Sequence, residues 1–570
     1  MTFVVGVVIV FRPTASLGLL ALLIGTGLIL QGGLELGDSA GRYAGESRFA
    51  LLAYVVSALW LAAGAFVLVF PGLTVGLVAV IVGVGLIVSG LLSVMRVVRH
   101  HRTVDARIAD GAFGLAGIVF GVLALAWPDI TLLVVSIVFG AHLILGATSV
   151  ARRTVRPRPA AAPRPGSIRR WARTALAIVT VVASVALGLV SGALHDGTVP
   201  VDDFYAAPRD VPATPGQLIR AESFTRGVPL DARAWRILYT TTRGDGSPAT
   251  ASGIVVVPKT GSGSWPVVDW NHGTTGFAQT CAPSLLRQPF ESGALFVLPR
   301  VIKQGWSLVA TDYIGLGTPG PHPYLIGKDS AHASLDAVRA ARELQHADMG
   351  DQTVVWGHSQ GGGTALWTGA IAEQYAPDVK LSGVAALAPA ANLPALVDHL
   401  TDVTGGSIFA SFAVAAYAAD YPDVTYREYI RPGAEPIVRA MAGRCLSNPD
   451  ALVSVLAALG LGADPRIFAK DPTTGALGRQ LEENVPPATV TAPLLVAQGA
   501  ADTLVVPSAQ DAYVRQACAA GEVVDYRTYA GLDHIPLVAA DSPLIPQLIA
   551  WTTDRFEGDQ SASACTTRAD

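Results

Sequence analysis

The first 195 residues lack lysine and cysteine altogether, and they hold only six acidic residues beside 15 arginines. This segment has a net charge of +9, so the rest of a chain whose total is −4 carries −13. Charged residues make up only 15% of the chain, hydrophobic residues 51%, and the mean hydropathy is +0.44. Such values exclude an ordinary soluble protein of this length. An apolar, basic part therefore precedes an acidic, globular part of about 370 residues, enough for one large domain with an insertion.

Sequence motifs for metal binding are also missing. The four cysteines lie in the acidic part and form no CxxC motif or Cys/His cluster: Cys281, Cys445, Cys518 and Cys565. Four cysteines confined to one part of a chain are typical of an exported domain with two disulfides, and three pairings are possible. We expect no metal and no cofactor. No nucleic-acid partner is expected, and the composition predicts no particular protein partner.

Hydrophobic stretches recur through the first part, near residues 15–36, 50–70, 73–95, 108–127, 130–150 and 172–194. Each is close to the ~20 residues that a transmembrane helix needs. Pro13, Pro71 and Pro128 open similar runs at intervals of 58 and 57 residues, which indicates an internal repeat. We predict an α-helical multi-span membrane domain of three helix-pair repeats at 1–150. These repeats resemble the bacterial acid-resistance membrane proteins that are built from short hydrophobic repeats.

Arginines lie in every second loop between these stretches, at 42–48, 96–107 and 152–170. Loops rich in arginine face the cytoplasm, so the last stretch leads everything after it out of the cytoplasm. We predict a basic, proline-rich cytoplasmic linker at 151–171 and a last transmembrane helix or signal-like segment at 172–194. The protein is thus expected in the cell membrane, multi-pass, with its second part outside the cytoplasm.

Both ends of the membrane part carry further expectations. Residues 191–193, Ser-Gly-Ala, follow an arginine pair and an apolar run as in a signal peptide, so an uncut anchor and cleavage after Ala193 both stand as alternatives. At the other end, residues 2–11 would span about 15 Å as a helix, half of a bilayer. A half-helix would leave backbone groups unsatisfied in lipid, so we expect apolar residues upstream of Met1.

Residues 357–361, Gly-His-Ser-Gln-Gly, are the strongest indication of chemistry. The preceding residues 352–356 predict a short buried strand, and a helical pattern begins at 361. A serine on such a turn has its hydroxyl exposed at the top of a sheet, and the helix N-terminus offers N–H groups to a developing oxyanion. Ser359 is therefore the candidate nucleophile. The same pattern at 37–41, Gly-Asp-Ser-Ala-Gly, lacks this context and is a chance match.

Short apolar strands alternate with amphipathic helical patterns through the second part. Strand-like segments lie at 253–257, 266–270, 307–310, 353–356, 384–387 and 493–497. That alternation predicts a mostly parallel sheet covered by helices, and with the serine turn it predicts an α/β-hydrolase domain.

An α/β-hydrolase triad follows the order serine, acid, histidine. Only His399 and His534 follow Ser359, and His399 precedes the strand-end carboxylates, so the order selects His534. Asp502 comes just after a strand tip, whereas Asp533 cannot easily face the ring of its own neighbour. We predict that the serine attacks, that His534 is base and then acid, and that Asp502 holds the imidazole in one tautomer. An Asp502 that merely caps its loop is the alternative.

An oxyanion hole needs a second N–H donor beside that of Gln360. Residues 270–276, Trp-Asn-His-Gly-Thr-Thr-Gly, follow an earlier strand and contain the glycines that such a loop requires. Either Thr274 or Gly273 is predicted to supply this donor from its backbone. Asp312 is expected to organise its own turn rather than to take part in catalysis.

The segments just described, with 312–317 (Asp-Tyr-Ile-Gly-Leu-Gly) and 322–325 (His-Pro-Tyr-Leu), resemble the secretory lipase family of lipase-A-like α/β-hydrolases. The resemblance covers about residues 200–555, and 556–570 is expected to be a tail. It implies hydrolysis of acylglycerols or other long-chain esters, with a helical cap over the active site. The surplus of chain between Ser359 and Asp502, at about 392–485, suits that cap. The family's disulfide order implies the pairs Cys281–Cys445 and Cys518–Cys565.

These features predict a membrane-tethered extracytoplasmic serine lipase or esterase that hydrolyses acylglycerols or other lipid esters through an acyl-enzyme. Its expected partners are a lipid or ester substrate and the membrane. Two alternatives remain open. One is acyl transfer to envelope lipids, and the other is a non-catalytic envelope-stress membrane component whose hydrolase fold only binds.

Overall fold

The computed structural model describes residues 26–30, 32–33, 36, 47–69, 75–97, 104–127, 167–195, 199–261, 264–403, 405–461, 467–559 and 564–569. The stretch predicted at 130–150, most of that at 15–36 and the predicted linker up to residue 166 lie outside the described residues. The chain divides into two compact units. One comprises Met1–Asp196, Ile430–Ala440 and Val455–Ile467, and the other comprises Gly197–Tyr429, Met441–Ser454 and Phe468–Asp570.

The described N-terminal helices are α1 (Ser47–Val69), α2 (Val75–Val97), α3 (Val104–Ala126) and α4 (Ser167–His195). Within the described residues, one helix is long and apolar enough to cross a membrane, through its stretch Thr174–Gly192 in α4. The apolar stretches of α1, α2 and α3 are shorter. Helix α4 also begins inside the segment 151–171 that the sequence predicts as a linker. The multi-span arrangement of 1–150 stays a prediction.

Helices α2 and α3 approach each other through glycines spaced seven residues apart on each helix. A Cβ atom on Gly90 would lie 2.5 Å from the carbonyl oxygen of Gly114, and one on Gly121 would lie 2.6 Å from that of Gly83. Both distances are shorter than real Cβ contacts. The two backbones are this close only because side chains are missing between them.

Helix α4 buries small side chains and exposes large ones. Ala177 and Ser184 are buried, while eight larger apolar residues are exposed: Leu176, Ile178, Val179, Val182, Val185, Leu187, Leu189 and Val190. Near the end of the helix, Ser191 Oγ accepts a 2.8 Å hydrogen bond from the indole N–H of Trp127, which follows α3. The small-residue face of α4 is therefore the one that packs within this unit.

In the described part of the second unit, ten strands form one sheet: β1 (Leu218–Phe224), β2 (Ala232–Thr242), β3 (Pro248–Pro258), β4 (Trp265–Asn271), β5 (Ser307–Ile314), β6 (Met349–His358), β7 (Lys380–Leu387), β8 (Leu494–Gly499), β9 (Val524–Tyr529) and β10 (Thr566–Ala569). Their order is β1-β2-β3-β5-β4-β6-β7-β8-β9-β10. The three pairs β1–β2, β2–β3 and β3–β5 are antiparallel. The pairs β5–β4, β4–β6, β6–β7, β7–β8, β8–β9 and β9–β10 are all parallel. This confirms the predicted mostly parallel sheet.

The helices after α4 are, in chain order, α5 (Leu298–Lys303), α6 (Gly327–Arg342), α7 (Gln360–Tyr375), α8 (Leu393–His399), α9 (Gly406–Asp420), α10 (Tyr426–Tyr429), α11 (Glu435–Ala442), α12 (Ala451–Leu461), α13 (Gly475–Glu483), α14 (Pro507–Ala519) and α15 (Leu544–Glu557). Helices α8 to α13 lie in the chain between β7 and β8. The described residues of the stretch 392–485, predicted as a helical cap, thus contain six helices, and the role of this stretch as a cap stays a prediction.

The sheet of the second unit has helices on both faces. Helices α5 and α15 share one apolar core with β4 and β6, which includes Val301, Trp551 and Trp356. Helices α6, α7 and α14 cover the opposite face, with Ala337 and Leu366 among their buried residues. Central strands are therefore buried on both sides, which is why they read as continuous apolar runs in the sequence.

The last residues differ from the tail predicted for 556–570. Helix α15 ends at Glu557, and β10 pairs in parallel with β9, with Thr566 opposite Asp525. Cys565, just before β10, is bonded to Cys518 of α14. This end of the chain forms an edge of the sheet, a role that the polar sequence of a four-residue strand does not reveal.

The glycine contact between α2 and α3 predicts the effect of a side chain placed in it. Gly90→Val should cost about 1–3 kcal/mol, as overpacking of a close contact does. The measurement is the Tm of the full chain in detergent, followed by circular dichroism. Gly33→Val is the matched control, because nothing lies within 4 Å of a Cβ on this other helical glycine. Equal Tm values for the two variants would contradict the packing role.

Candidate active site

Ser359 lies at the turn between β6 and α7, with φ 59° and ψ −119°. A residue other than glycine is strained in this backbone conformation, so its surroundings must hold it there. A Cβ on Gly361 would collide with the carbonyl of Asn271 at the end of β4, and one on Gly357 would collide with the backbone of Gly361. Both glycines of the motif are thus required by close approach of the backbone.

Backbone hydrogen bonds tie this turn to the end of β7. The N–H of Ser359 donates to the carbonyl of Leu387 at 2.9 Å, and the carbonyl of Ser359 accepts from the N–H of Ala390 at 3.0 Å. The serine itself is 9% exposed. The turn is therefore rigidly placed at the carboxyl edge of the parallel strands, where ligands of open α/β sheets bind.

The structure brings His534 and Asp502 together. His534 Nδ1–H donates to Asp502 Oδ2 at 2.8 Å, and both residues are buried. The other carboxylate oxygen accepts the N–H groups of Leu504 at 2.9 Å and Val505 at 2.8 Å. Because Nδ1 carries the proton, the lone pair of the imidazole lies on Nε2. Among the described residues this buried Nε2 has no hydrogen-bond partner, so it is free to accept a proton.

His358 links the serine turn to the segment that carries His534. Its Nε2–H donates to the backbone carbonyl of His534 at 3.1 Å, and the two rings lie 4.6 Å apart. Burial lowers the pKa of His358 well below its usual value, so the ring is neutral. Ser359 and His534 therefore lie on adjoining segments. Within the described residues no hydrogen bond joins their side chains, as is common before a substrate closes this contact.

Two polar residues near the acid were not recognised from the sequence. Gln498, the polar residue near the end of β8, donates from Nε2 to Asp502 Oδ2 at 3.1 Å and to the carbonyl of Val505 at 2.9 Å. Asp533 Oδ1 accepts the N–H of Thr503 at 2.9 Å and that of His534 at 2.8 Å. Asp533 thus bridges the loop of Thr503 and the loop of His534. From the sequence, Asp533 is only an alternative to Asp502 as the acid of the triad.

The oxyanion donors predicted from the sequence differ in their hydrogen bonding. Gln360 is the first residue of α7, so its N–H has no acceptor within the helix. The N–H of Thr274 has no acceptor among the described residues either. The N–H of Gly273, in contrast, donates to the carbonyl of Gly293 at 3.1 Å. Because a neighbouring turn already uses the N–H of Gly273, the geometry favours Thr274 of the two predicted alternatives, and the oxyanion hole stays a prediction.

Asp312 lies in β5 and is fully buried. Its carboxylate accepts from the hydroxyl of Ser252 at 2.6 Å and from the backbone N–H of Ser284 at 2.9 Å. Burial raises its pKa to about 6. Ser252 lies on β3 and Ser284 on the segment after Cys281, so Asp312 of β5 joins three segments, and among the described residues it makes no hydrogen bond to Ser359.

Both disulfides of the described chain have the pairing that the family resemblance implies, Cys281–Cys445 and Cys518–Cys565. The first one joins the segment after the predicted oxyanion loop to the helical stretch between β7 and β8. Beside it, the N–H of Leu446 donates to the carbonyl of Thr275 at 2.8 Å. The loop that carries Thr274 is thus fixed from the side of the insertion.

Comparison with known families matches the two parts of the chain separately. Residues 291–564 match the sequence model of the secretory lipase family. Residues 1–68, 55–123 and 112–190 each match a short repeat of unknown function, DUF308. All three matches begin within 1–150, where the sequence predicts three repeats, and the third extends to residue 190, beyond the predicted end.

Curated relatives resemble the second part. Over 388 residues the chain is 25% identical to a protein of Mycobacterium tuberculosis named a probable inactive lipase, covering 63% of this chain and 83% of that protein. Over 397 residues it is 24% identical to lipase A of Moesziomyces aphidis, covering 65% and 82%.

The solved structure of Candida antarctica lipase A in its closed state superimposes with a TM-score of 0.53 at 19% identity, covering 65% of this chain and 90% of that one. At this identity the likeness shows the fold, which is that of an α/β-hydrolase. The second part of the chain is therefore similar to the secretory lipases over residues 291–564, and it follows three matches to a short repeat of unknown function.

Proposed function

We propose that this protein is a membrane-tethered serine lipase or esterase that hydrolyses carboxylic esters of lipids outside the cytoplasm. The observation that carries the proposal is the hydrogen bond of His534 to Asp502. It leaves a buried Nε2, which has no hydrogen-bond partner in the described part of the chain, on the segment adjoining Ser359. A neutral imidazole with a fixed tautomer and a free Nε2 is the base that a serine nucleophile requires.

In the first half of the proposed reaction, Ser359 Oγ attacks the ester carbonyl carbon and its proton passes to His534 Nε2. Asp502 stabilises the imidazolium that forms, through the hydrogen bond at Nδ1. The negative charge on the former carbonyl oxygen faces the backbone N–H groups of Gln360 and Thr274, which have no competing acceptor among the described residues. The intermediate collapses when His534 returns the proton to the leaving alcohol, and the acyl group stays on the serine.

The second half repeats these steps with water. His534 Nε2 takes a proton from water as its oxygen attacks the acyl-enzyme carbonyl, and the same two N–H groups face the oxyanion. The proton then returns to Ser359 Oγ and the carboxylic acid leaves. The same residues thus serve both halves.

The membrane tether and the location outside the cytoplasm have separate support. Helix α4 contains a stretch long and apolar enough to span a bilayer, and it exposes large apolar side chains while its small residues pack inward. Arginines flank its N-terminal side, which is typical of a cytoplasmic end. The hydrolase part begins directly after this helix and contains two disulfides, which persist in oxidising compartments.

Replacing the nucleophile tests the proposed reaction directly. Purified full chain in detergent should hydrolyse p-nitrophenyl acyl esters and should become labelled by a fluorophosphonate probe. Ser359→Ala should remove both, with a loss of several powers of ten in rate. Ser223→Ala, at an exposed serine of β1, is the matched control and should change neither.

The outcomes also separate the alternatives. Turnover that persists in Ser359→Ala would refute the assignment. A wild-type chain that neither turns over esters nor takes the label would favour a non-catalytic role, which the name of the mycobacterial relative makes worth testing. Product analysis with glycerol as an acceptor would distinguish acyl transfer from hydrolysis.

The bridge made by Asp533 predicts a pH-dependent contribution to stability. Hydrogen bonds from Thr503 and His534 lower the pKa of Asp533. A carboxyl group whose pKa is lower in the folded than in the unfolded chain stabilises the fold above the unfolded value, near pH 4. That stabilisation is lost as the pH falls through the folded value.

Asp533→Asn should therefore lower the Tm of the hydrolase part at pH 7, and its difference from wild type should shrink below about pH 4. Asp541→Asn, at an exposed aspartate of the same region, controls for the loss of one charge. A Tm difference that is constant from pH 7 to pH 3 would contradict the bridge. Equal Tm values for Asp533→Asn and Asp541→Asn at pH 7 would also contradict the bridge.

A further inference from the structure

The turn between β5 and α6 contacts both residues that carry the candidate oxyanion donors. This turn presents His322 and Tyr324. Leu325 in the turn has a φ of 60°, and Tyr313, near the end of β5, has a φ of 68°. Such values are strained for residues with side chains, and they persist where the surroundings hold them. The contacts of this turn therefore hold it in a strained backbone conformation.

His322 anchors the side chain of Gln360. Its Nδ1–H donates to the carbonyl of Ile314 at 3.1 Å, so Nε2 carries the lone pair. That Nε2 accepts from the amide Nε2–H of Gln360 at 3.1 Å. Burial lowers the pKa of His322 to about 3, which keeps the ring neutral and able to accept. The Gln360 Oε1 has no partner among the described residues, so His322 is the polar anchor of this side chain there.

Tyr324 anchors the other donor residue. Its hydroxyl and that of Thr274 lie 2.9 Å apart and form a hydrogen bond. The buried ring of Tyr324 packs edge-on against Phe412 of α9, with 5.9 Å between the ring centroids. The same helix contacts the turn again, where the Tyr417 hydroxyl donates to the carbonyl of Leu325 at 3.1 Å. Tyr324 is thus fixed on one side by α9 and holds Thr274 on the other.

We propose that His322 and Tyr324 are positioning residues that together hold Gln360 and Thr274, so that their two backbone N–H groups converge on one oxyanion. This inference rests on the proposed ester hydrolysis and deepens it. The two residues touch neither the nucleophile nor the His534–Asp502 pair in any described contact. They act indirectly, by holding Gln360 and Thr274. Their effect is on the negative charge of the oxyanion, which forms only in the transition state.

A role in the transition state predicts a distinct kinetic result. Removing an oxyanion donor outright costs about a hundredfold to a thousandfold in kcat. Tyr324→Phe keeps the ring against Phe412 and the donor itself, and removes only the anchor, so we expect kcat to fall about tenfold to a hundredfold. KM should change little, since the ground-state ester carries no oxyanion.

The experiment uses the full chain in detergent with a p-nitrophenyl ester. Active sites are counted by fluorophosphonate titration, so that kcat refers only to folded enzyme. Tyr239→Phe is the matched control, because Tyr239 is also buried and its hydroxyl bonds a threonine, Thr311, at 2.7 Å. We expect this control to lose stability and to keep its kcat. A similar loss of kcat in both tyrosine variants would overturn the inference.

A second pair of variants tests His322. His322→Leu removes the acceptor for the Gln360 amide, whereas the side-chain oxygen in His322→Gln can still accept it. We expect His322→Leu to lower kcat about as Tyr324→Phe does, and His322→Gln to restore part of it. Equal kcat values for the two His322 variants and wild type would overturn the role of this residue.

A double-mutant cycle tests the shared contact. Thr274→Val keeps the backbone donor and removes the hydroxyl, so its effect on kcat should resemble that of Tyr324→Phe, and the double variant should lose no more than either. Additive losses would overturn the anchor. A wild-type chain without esterase activity would remove this inference together with the proposed function, whereas an active wild type with unaffected variants would remove this inference alone.

Discussion

The close approach of the serine turn to the end of β4 is the constraint on which the site depends. Gly361 lies against the carbonyl of Asn271, where a Cβ would collide with the backbone. This contact places the first turn of α7 beside the loop that follows β4. The two candidate donors, Gln360 and Thr274, come from these two segments, so one packing contact sets the distance between them. A side chain at Gly361 would separate the donors as well as strain the turn.

Burial keeps three other histidines near this turn uncharged. Desolvation lowers the pKa of His272 to about 4 and that of His322 to about 3, and it lowers that of His358 well below its usual value. All three are therefore neutral near pH 7 and serve as fixed hydrogen-bonding groups. Each one bonds a backbone carbonyl. An ordered set of neutral dipoles costs little to reorganise when charge develops nearby, which is the condition for electrostatic catalysis.

The sequence predicted those features whose signal is local or set by chain order. The glycines around Ser359 follow from the turn itself, and the order of chain elements selected His534 and Asp502, which the structure joins by a hydrogen bond. What could not be predicted depends on neighbours distant in sequence. The hydrogen bond from the N–H of Gly273, which favours Thr274 as the donor, depends on the carbonyl of Gly293. The bridge made by Asp533 depends on the loop of Thr503, 30 residues away.

The disulfide Cys281–Cys445 makes the geometry of the site depend on the redox state of the compartment. It spans 164 residues and ties the segment after the predicted oxyanion loop to the helical insertion, where Leu446 also bonds the carbonyl of Thr275. Without this covalent link, the loop of Thr274 would rely on hydrogen bonds alone to keep its place beside the insertion. Thiols remain reduced in most cytosols. In the location proposed here, outside the cytoplasm, this disulfide can persist and hold the loop in place, so the proposed export and the proposed chemistry support each other.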